Sequence, residues 1–574
     1  MYREREGQPL TDGRTVAAPT EAPAVLVERC GWSRVWLGVL VAGLGFWGSW
    51  SGWTWAAVVA PLLVLAGIAG TVAVWVVRDP GARVMHAVGL AGALVAVAVP
   101  QAAGIHVRQF YTTDSAAFDQ VAARALLHGH DPYTTSMAPA AALIKSPWEY
   151  WTYTVGGGHV THASYPAGSF LLDWAAMVVG FHHQVADWVD LVAWLVTAVL
   201  LYVLVPVALR WVALLVFLTP LFTGMFANGG TDALFIPFLV VAVWRWDRFG
   251  TGRSAGLASW IGPVALGLAC AVKQTPWFCV PFLVVGVWLE ARRRGVGPWP
   301  VAARYAGTVA AVFVVVDLPF ILWSPSAWAS GTLLPFAQPL VADGQGLVTL
   351  AIHGLTGGVV LSLLTVAGLL AYLALLAAYA VWFPRLKRVW LLALPLALFV
   401  PARSLSSYLL DLFPAALVAA ITVAAPALGT AAAGRRRWPG LAAVGVPLVA
   451  AAAVAVVAFT SAPLSLSVQG FRTSNATQRL DTVTVVVHNG TDHAVSPHFM
   501  VAISGSHPTG FWRSTSGRPV VVGAGATATV TLRPVEYTWS PVRGGYWMVE
   551  AYTTSPNALS TSPLQFWRLG QPQF

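Results

Sequence analysis

Cysteine and charge are both scarce in this chain. Its three cysteines among 574 residues exclude a disulfide framework. Cys30 stands ahead of the first apolar run and Cys270 and Cys279 lie inside others, so no metal-ligand spacing forms either. Charged residues make up 10% of the composition against 57% hydrophobic, at a mean hydropathy of +0.68, which excludes a water-soluble globule for the first four-fifths of the chain. There is no P-loop, no GxGxxG opening a helix after a strand, and no HExxH among the scattered histidines. Neither a nucleotide-driven reaction nor a metal hydrolase has an anchor. The net charge of +10 gathers into no basic face; arginines sit in short loops between apolar runs, which argues against nucleic acid as a partner.

What the chain has in quantity is hydrophobic length and tryptophan. Apolar runs of roughly 13 to 25 residues recur from 34–51 to 440–461, the length a bilayer crossing asks for. The 28 tryptophans fit side chains at the two water–lipid boundaries, with some packed between helices. The expected fold is therefore a polytopic α-helical membrane protein of about 13 spans in a plasma (inner) membrane, with a lipid bilayer as its solvent. The first run, behind a polar segment 1–33 without signal-peptide layout, reads as an uncleaved signal-anchor. Arg29 with Arg34, Arg78 with Arg83, Arg245 with Arg248 and Arg253, Arg292 to Arg294, Arg385 with Lys387 and Arg388, and Arg435 to Arg437 mark cytoplasmic loops. That puts the N-terminus inside, and it puts the 104–165 insert, the loops near 324–358 and 402–405 and the C-terminal segment outside. Counts from the two ends agree only if 166–181 or 211–227 fails to cross, which predicts a re-entrant or half-helix there, lining a chamber.

The helical part runs over 34–462. From 463 to 574 the pattern changes to strand-like runs, Thr482 to Val487, Phe499 to Ile503, Val520 to Val522, Thr527 to Leu532 and Tyr546 to Tyr552, separated by turns such as Asn489-Gly490 and Arg543-Gly544-Gly545. This predicts an extracytoplasmic immunoglobulin-like β-sandwich. The sequons at Asn475 and Asn489 carry little weight in an Ala/Val/Gly/Arg-rich, bacterial-looking composition. Trp512, Trp539, Trp547 and Trp567 read as core before they read as sugar-stacking platforms.

The insert 104–165 interrupts the apolar text with an acid, Asp114, followed by a helix whose apolar positions Phe118, Val121, Ala122, Ala125 and Leu126 repeat at helical spacing. Asp114 reads either as the cap of that helix or as a reactive carboxylate at a membrane surface. Companions gather at the outer ends of spans: Lys145, Glu149, Tyr153, His159, His162 and Tyr165, then Asn228, Thr231 and Asp232, then Lys273 and Gln274, then Asp317, Gln338, Asp343, His353, Arg403, Tyr408 and Asp411. Ionisable groups at membrane depth usually face a cavity or one another. Lys273 reads as a phosphate ligand or a snorkelling lysine. Arg403, between Pro401 and the Ser404–Ser407 stretch, suits two forked hydrogen bonds to a phosphate. Asp317 and Asp411 read alternatively as counter-ions within the bundle. Asp119, Asp131 and Asp232 stand beside Asp114 as alternative bases, and Asp131 alternatively builds the Pro-Tyr turn.

Asp114 with Gly129-x-Asp131-Pro132-Tyr133, Tyr165-Pro166 opening an apolar segment, Lys273-x-x-Pro276 and a late Tyr408 with Pro414, in that order over roughly 83–427, resemble the C-type integral-membrane glycosyltransferases. They are most similar to glycosyltransferase family 87, the polyprenyl-phosphate-mannose-dependent mannosyltransferases. The chain departs from that pattern at Tyr165-Pro166-Ala167, where Tyr-Pro-Pro is usual, and at Asn228-Gly229-Gly230-Thr231-Asp232, where Gly-Gln is common. The appended domain is similar to those of some arabinofuranosyltransferases of actinobacterial walls. The resemblance implies transfer of a sugar, mannose or another hexose or pentose, from a polyprenyl-phosphate donor to a cell-envelope glycan or glycolipid acceptor on the outer face, with inversion. It implies Asp114 as general base, Arg403 and Lys273 on the donor phosphate, and Asp131, Tyr133, Tyr165, Asn228, Asp232 and Tyr408 around the substrates. A divalent metal between carboxylate and phosphate is compatible with it, although nothing in the spacing requires one, and no other cofactor is implied.

Two rivals share the composition. A transporter or lipid-linked glycan flippase would show internal repeats with paired broken helices, which are missing here. A non-catalytic envelope-assembly protein would need far fewer spans as an anchor. Convergence of Asp114, Arg403 and Lys273 on one outer cavity separates the transferase from both.

Overall fold

The computed structural model describes residues 23–50, 56–77, 83–145, 151–219, 222, 231–250, 259–424, 437–474, 479–503, 510–535, 540–541 and 545–566. The helical part contains α1 (Pro23–Trp50), α2 (Ala56–Val76), α3 (Arg83–Val107), α4 (Asp114–Leu127), α5 (Gly168–Val178), α6 (Val185–Leu204), α7 (Arg210–Leu218) and α8 (Ile236–Val243). It continues through α9 (Ile261–Val272), α10 (Cys279–Arg293), α11 (Pro298–Trp323), α12 (Pro325–Ala337), α13 (Leu361–Val381), α14 (Trp390–Leu398), α15 (Phe413–Thr422) and α16 (Arg437–Thr460). Among the described residues, the six helices long and apolar enough to cross a membrane are α2, α3, α6, α11, α13 and α16.

Helix length separates these from the other apolar runs. The run at 166–181 yields only α5, whose 11 residues rise about 16 Å, roughly half a hydrocarbon core. The runs at 231–247, 389–401 and 405–427 likewise fold as short pieces such as α8, α14 and α15, with a proline at the first turn of α8 and α15 and at mid-helix in α14. α1 packs along α2 and against α3 and α7; α9 lies between α8 and α11; α13 pairs with α16. Trp32, Trp194, Phe217, Phe282 and Trp390 fill the main core between these helices, where the Phe282 and Trp390 rings stack at 5.0 Å.

The helix after Asp114 is less amphipathic than the sequence suggests. Nine of the 14 residues of α4 are buried, including the polar Asp119 and Gln120. Its run of alanines lets α5 and α6 approach it closely, and Phe118, Val121 and Ala122 share a second core with Tyr133, Phe170 and Phe320. Gly129, at φ +77°, ends the helix: the N–H of Gly129 bonds Leu126 O and that of His130 bonds Ala125 O.

Two short strands, β1 (Asp343–Gly344) and β3 (Arg403–Ser404), pair in parallel, and between them in sequence lies β2 (Gly358–Val360). The C-terminal strands are β4 (Leu464–Thr473), β5 (Leu480–Asn489), β6 (His498–Ile503), β7 (Phe511–Ser514), β8 (Thr527–Arg533), β9 (Tyr546–Thr554), β10 (Asn557–Thr561) and β11 (Gln565–Phe566). They do not form the two separate sheets of an immunoglobulin-like sandwich. One continuous sheet runs β2-β10-β9-β6-β7-β8-β5-β4, with β11 on β9, and curls into a half-barrel. β7 is the corner: Phe511 and Trp512 pair with β6, while Arg513 and Ser514 pair with β8. The run at Val520 to Val522 contributes only the bridge Val495↔Val522. Trp512 and Trp547 are buried in the half-barrel core, whereas Trp539 and Trp567 fall outside the described residues. Asn489 is also buried, with its side-chain nitrogen bonded to the carbonyls of His493, Val522 and Gly523, so its sequon presents no free amide; Asn475 is outside the described residues.

The half-barrel is knitted to the helical part. β2, which precedes α13, adds as an edge strand to β10, pairing Val360, Val359 and Gly358 with Ala558, Leu559 and Ser560. Strand β9 is consequently buried on both faces. Trp547, Val549 and Ala551 point into the half-barrel core, and Tyr552 points the other way into a shared core with Val155, Val341, Ala342, Met500 and Leu559.

Candidate active site

At the half-barrel end of the helical part, five elements meet around one group of polar side chains. The start of α4 brings Asp114; the loop ahead of α5 brings Tyr165; the C-terminal end of α9 brings Lys273; β3 and the turn after it bring Arg403 and Tyr408; β1 brings Asp343. Asp232 and Asp411 lie beneath.

Asp114 is the first residue of α4 and does not cap it. Thr113, at φ −142° and ψ 148°, takes that role, its hydroxyl accepting from Ala116 N at 3.4 Å. The Asp114 carboxylate instead accepts from Thr152 N at 2.7 Å, across the outer loop. Burial pushes its pKa up, opposed by hydrogen bonds from Thr152 and Ser115 and by the charge of Arg403.

Arg403 is held by backbone geometry. Its guanidinium lies 3.6 Å from Asp343 Oδ2 and 3.4 Å from the Val341 carbonyl, and it is 22% exposed. β1 approaches β3 so closely that a side chain at Gly344, whose φ is +108°, would strike the Ser404 carbonyl. Arg403 is thus aimed by a two-residue parallel pair whose partners lie far apart in sequence.

Lys273 has a different place from the one its sequence context suggests. It neither snorkels outward nor lies open to a phosphate: it is 5% exposed, ion-paired to Asp232, with the Tyr165 ring 4.9 Å away and the Tyr408 ring at 6.0 Å. Asp232, assigned to substrate by the resemblance, is spent on that pair. Asp411, fully buried, lies against Asp232 and Lys273. Together they form a sealed layer on whose lysine the two tyrosines rest. Tyr165, Tyr408, Asp114, Arg403 and Asp343, all partly exposed, make the layer above it. Tyr408 lies within electrostatic reach of both cations, and Tyr165 of both Lys273 and Asp114, so the two layers are one site.

Asp131 and Tyr133 contribute from behind. Asp131 closes its own turn, accepting from Tyr133 N at 2.9 Å and holding Thr135 Oγ1 at 2.8 Å through its carbonyl. Tyr133 is buried in the core beneath α4 and donates its hydroxyl to the Tyr165 carbonyl at 2.8 Å. The Asp-Pro-Tyr segment therefore places Tyr165 and does not face a substrate. Asp317 accepts Ala167 N at 3.0 Å and Trp328 Nε1 at 2.9 Å on one oxygen, a structural role at the start of α5. Gln274 ties the carbonyls of Ser164 and Thr332 together. Lys145, His159 and His162 lie exposed on the outer loop. Asn228 and Glu149 fall outside the described residues.

Of two further parts of this arrangement, sequence reasoning offered the first, Asp119, only as an alternative base and missed the second altogether. Asp119, whose carboxyl accepts from Ser169 at 2.9 Å, is raised by burial to about 7 and stands near Lys273; the buried Asp173 and Asp190 lie within its electrostatic reach. Its only sequence signal is an acid on the apolar face of α4. The other part is the pair Glu550 and Tyr552 on β9, signalled by a lone glutamate inside an otherwise apolar strand. Among the described residues no three His, Cys, Asp or Glu side chains come together as a metal-ligand set. Comparison with models of protein families, with curated proteins and with solved structures finds no match to this chain.

Proposed function

We propose that the protein is a membrane glycosyltransferase that moves a sugar from a polyprenyl-phosphate donor to an envelope glycan or glycolipid acceptor at the half-barrel face, which lies outside the cytoplasm of a bacterial plasma membrane. The observation that carries this reading is the convergence of a buried-side carboxylate, Asp114, and a partly open arginine, Arg403, on one tyrosine-floored site. The segment bearing Arg403 follows α14, where Leu392 and Leu396 on the helix and Phe399 just past its end are exposed apolar side chains that suit lipid contact. A phosphate on a lipid chain can reach Arg403 from that side.

In this reading the acceptor hydroxyl attacks the anomeric carbon opposite the phosphate. Its proton goes to the Asp114 carboxylate, the bond from the anomeric carbon to the phosphate oxygen breaks, and the electron pair leaves on polyprenyl phosphate, yielding inversion. Arg403 offsets the extra charge on the departing phosphate, with Lys273 contributing a fixed field from below. The raised pKa of Asp114 makes its carboxylate a stronger base than that of a surface aspartate.

The test is transfer by the purified chain from a panel of polyprenyl-phosphate sugars, mannose and arabinose included, with release of polyprenyl phosphate followed for wild type and Asp114→Asn. The substitution should lower release at least about 100-fold without a change in melting temperature. A folded wild type that releases none with any donor and acceptor overturns the reading and favours a transporter.

A further inference from the structure

The C-terminal domain would ordinarily be taken for an appended binding module. Its placement assigns it another task. β2 of the helical part is a strand of its sheet. Thr561 is bonded to this linker twice, by its N–H to the Gly357 carbonyl at 3.0 Å and by its hydroxyl to the Thr356 carbonyl at 2.8 Å. The Tyr153 ring of the outer loop meets Phe511 of β7 edge-on at 5.6 Å, and a side chain at Gly157 would strike His498 of β6. The face of the sheet turned away from the half-barrel core is thus packed on the outer loop whose Thr152 N bonds Asp114, and on Val341, Ala342 and Ala402, which flank Asp343 and Arg403.

On that face lie Glu550 and Tyr552, 1% and 0% exposed, with the Tyr552 hydroxyl donating to Glu550 Oε2 at 2.9 Å. Tyr552 packs in one core with Val341 and Ala342, the residues immediately before Asp343, and Val341 is also the carbonyl that Arg403 reaches. Asp343 N in turn bonds the Ala402 carbonyl at 3.1 Å. We propose that Glu550 and Tyr552 are positioning residues: acting through the Val341–Asp343 segment, they set how far Arg403 is available to a lipid-linked phosphate, so the half-barrel is part of the site. This rests on the reading of Arg403 as the donor-phosphate ligand.

The arrangement has a pH signature. Burial raises Glu550 to about 7, with Asp343 adding to the rise and the Tyr552 hydrogen bond opposing it. Tyr552 on its own strand and Asp343 on β1 act on it directly, while Arg403 on β3 and His498 on β6, the latter held toward its neutral form by burial, lie against Tyr552. Below about pH 7 Glu550 is neutral; above it, its negative charge adds to that of Asp343, the partner of Arg403, and so strengthens the hold that an incoming phosphate must overcome.

The experiment measures binding of decaprenyl phosphate to the full-length protein in detergent between pH 5.5 and 8.5, for wild type, Glu550→Gln and Tyr552→Phe, beside donor KM and kcat in the transfer assay. Wild-type affinity should fall by about three- to tenfold as pH rises through 7, and Glu550→Gln should flatten that profile. Tyr552→Phe, which removes the bond opposing the rise of Glu550, should move the fall in affinity, and the matching rise in donor KM, to higher pH with kcat and acceptor KM unchanged. Should Tyr552→Phe fail to fold, the near-isosteric Glu550→Gln decides alone. Variants that transfer sugar and bind decaprenyl phosphate with the wild-type pH profile overturn the positioning role and leave the transferase standing. A wild type with the pH-dependent binding but no sugar transfer overturns the transferase and leaves the positioning role. Absence of any decaprenyl phosphate binding overturns the positioning role as well.

Discussion

Each end of the helical part carries a knot of buried charge, and the two are built to different ends. At the end away from the half-barrel, Lys387 sits between Asp247 and Glu290 at 3.7 and 3.5 Å, and Arg294 closes on Glu290 at 2.8 Å. Two cations face two acids, Asp247 also accepts Ala424 N at 3.1 Å, and Lys387 is 3% exposed. At the half-barrel end the two cations Lys273 and Arg403 face Asp232, Asp411, Asp343, Asp114 and Asp119, with two tyrosine rings between. There the upper members are partly open, and Arg403 is held by a long ion pair to Asp343 and a long hydrogen bond to the Val341 carbonyl. A charge-balanced knot around a sealed lysine ties helices together, whereas one with surplus acid and an arginine held by a long ion pair is suited to exchange a proton and receive an anion.

The strongest way to break this comparison is to remove Lys387. In Lys387→Ala the carboxylates of Asp247 and Glu290 are left buried without their shared cation, a loss of about 3–5 kcal/mol that should appear as a large drop in melting temperature in detergent. The rate per folded molecule should stay unchanged. A variant that melts like wild type but loses transfer would mean that the closed knot is the functional one.

A second prediction sets the half-barrel end against pH. Glu550 titrates near 7 in the folded protein against 4.5 ordinarily, so the folded state holds its proton more tightly than the unfolded chain does. The sign follows: this contribution is complete below about pH 4.5 and is lost as pH rises through 7. At about 1.4 kcal/mol per pH unit it amounts to about 3 kcal/mol, absent from Glu550→Gln. The variant's melting temperature should therefore fall less than that of wild type between pH 5 and 8. Equal falls would mean that Glu550 is ionised throughout.

Where the sequence was legible, the signal was local. Bilayer-length runs announced a helical membrane protein, and period-two alternation located β5, β6, β8 and β9. The half-barrel was not legible, because its curvature depends on β7 serving two neighbours and its edge is β2, which lies before the last long helices; neither pairing leaves a local pattern. Asp114 and Arg403 stood out as polar residues set between apolar runs. The aim of Arg403 did not, since it comes from pairing with Asp343, 60 residues earlier in the chain. Lys273 shows the limit most clearly: two readings of its local context, snorkelling and phosphate binding, both yield to an ion pair with Asp232, a partner that only the folded chain supplies.

The smallest expected effect addresses the oldest ambiguity at Asp114, cap or reactive group. Thr113 makes the cap bond, and at 3.4 Å it is a long one, so Thr113→Ala should cost about 0.5–1 kcal/mol and Thr113→Ser should restore it. Asp114→Asn keeps an acceptor for Thr152 N and leaves the cap intact, so its stability cost should be smaller still, limited to the favourable charge lost at a helix start. Transfer should separate the two in the opposite sense: Thr113→Ala active, Asp114→Asn inactive. If instead Asp114→Asn destabilises as much as Thr113→Ala and both stay active, Asp114 shares the capping work and the half-barrel end loses its base. The upper layer would then be no more reactive than the knot around Lys387.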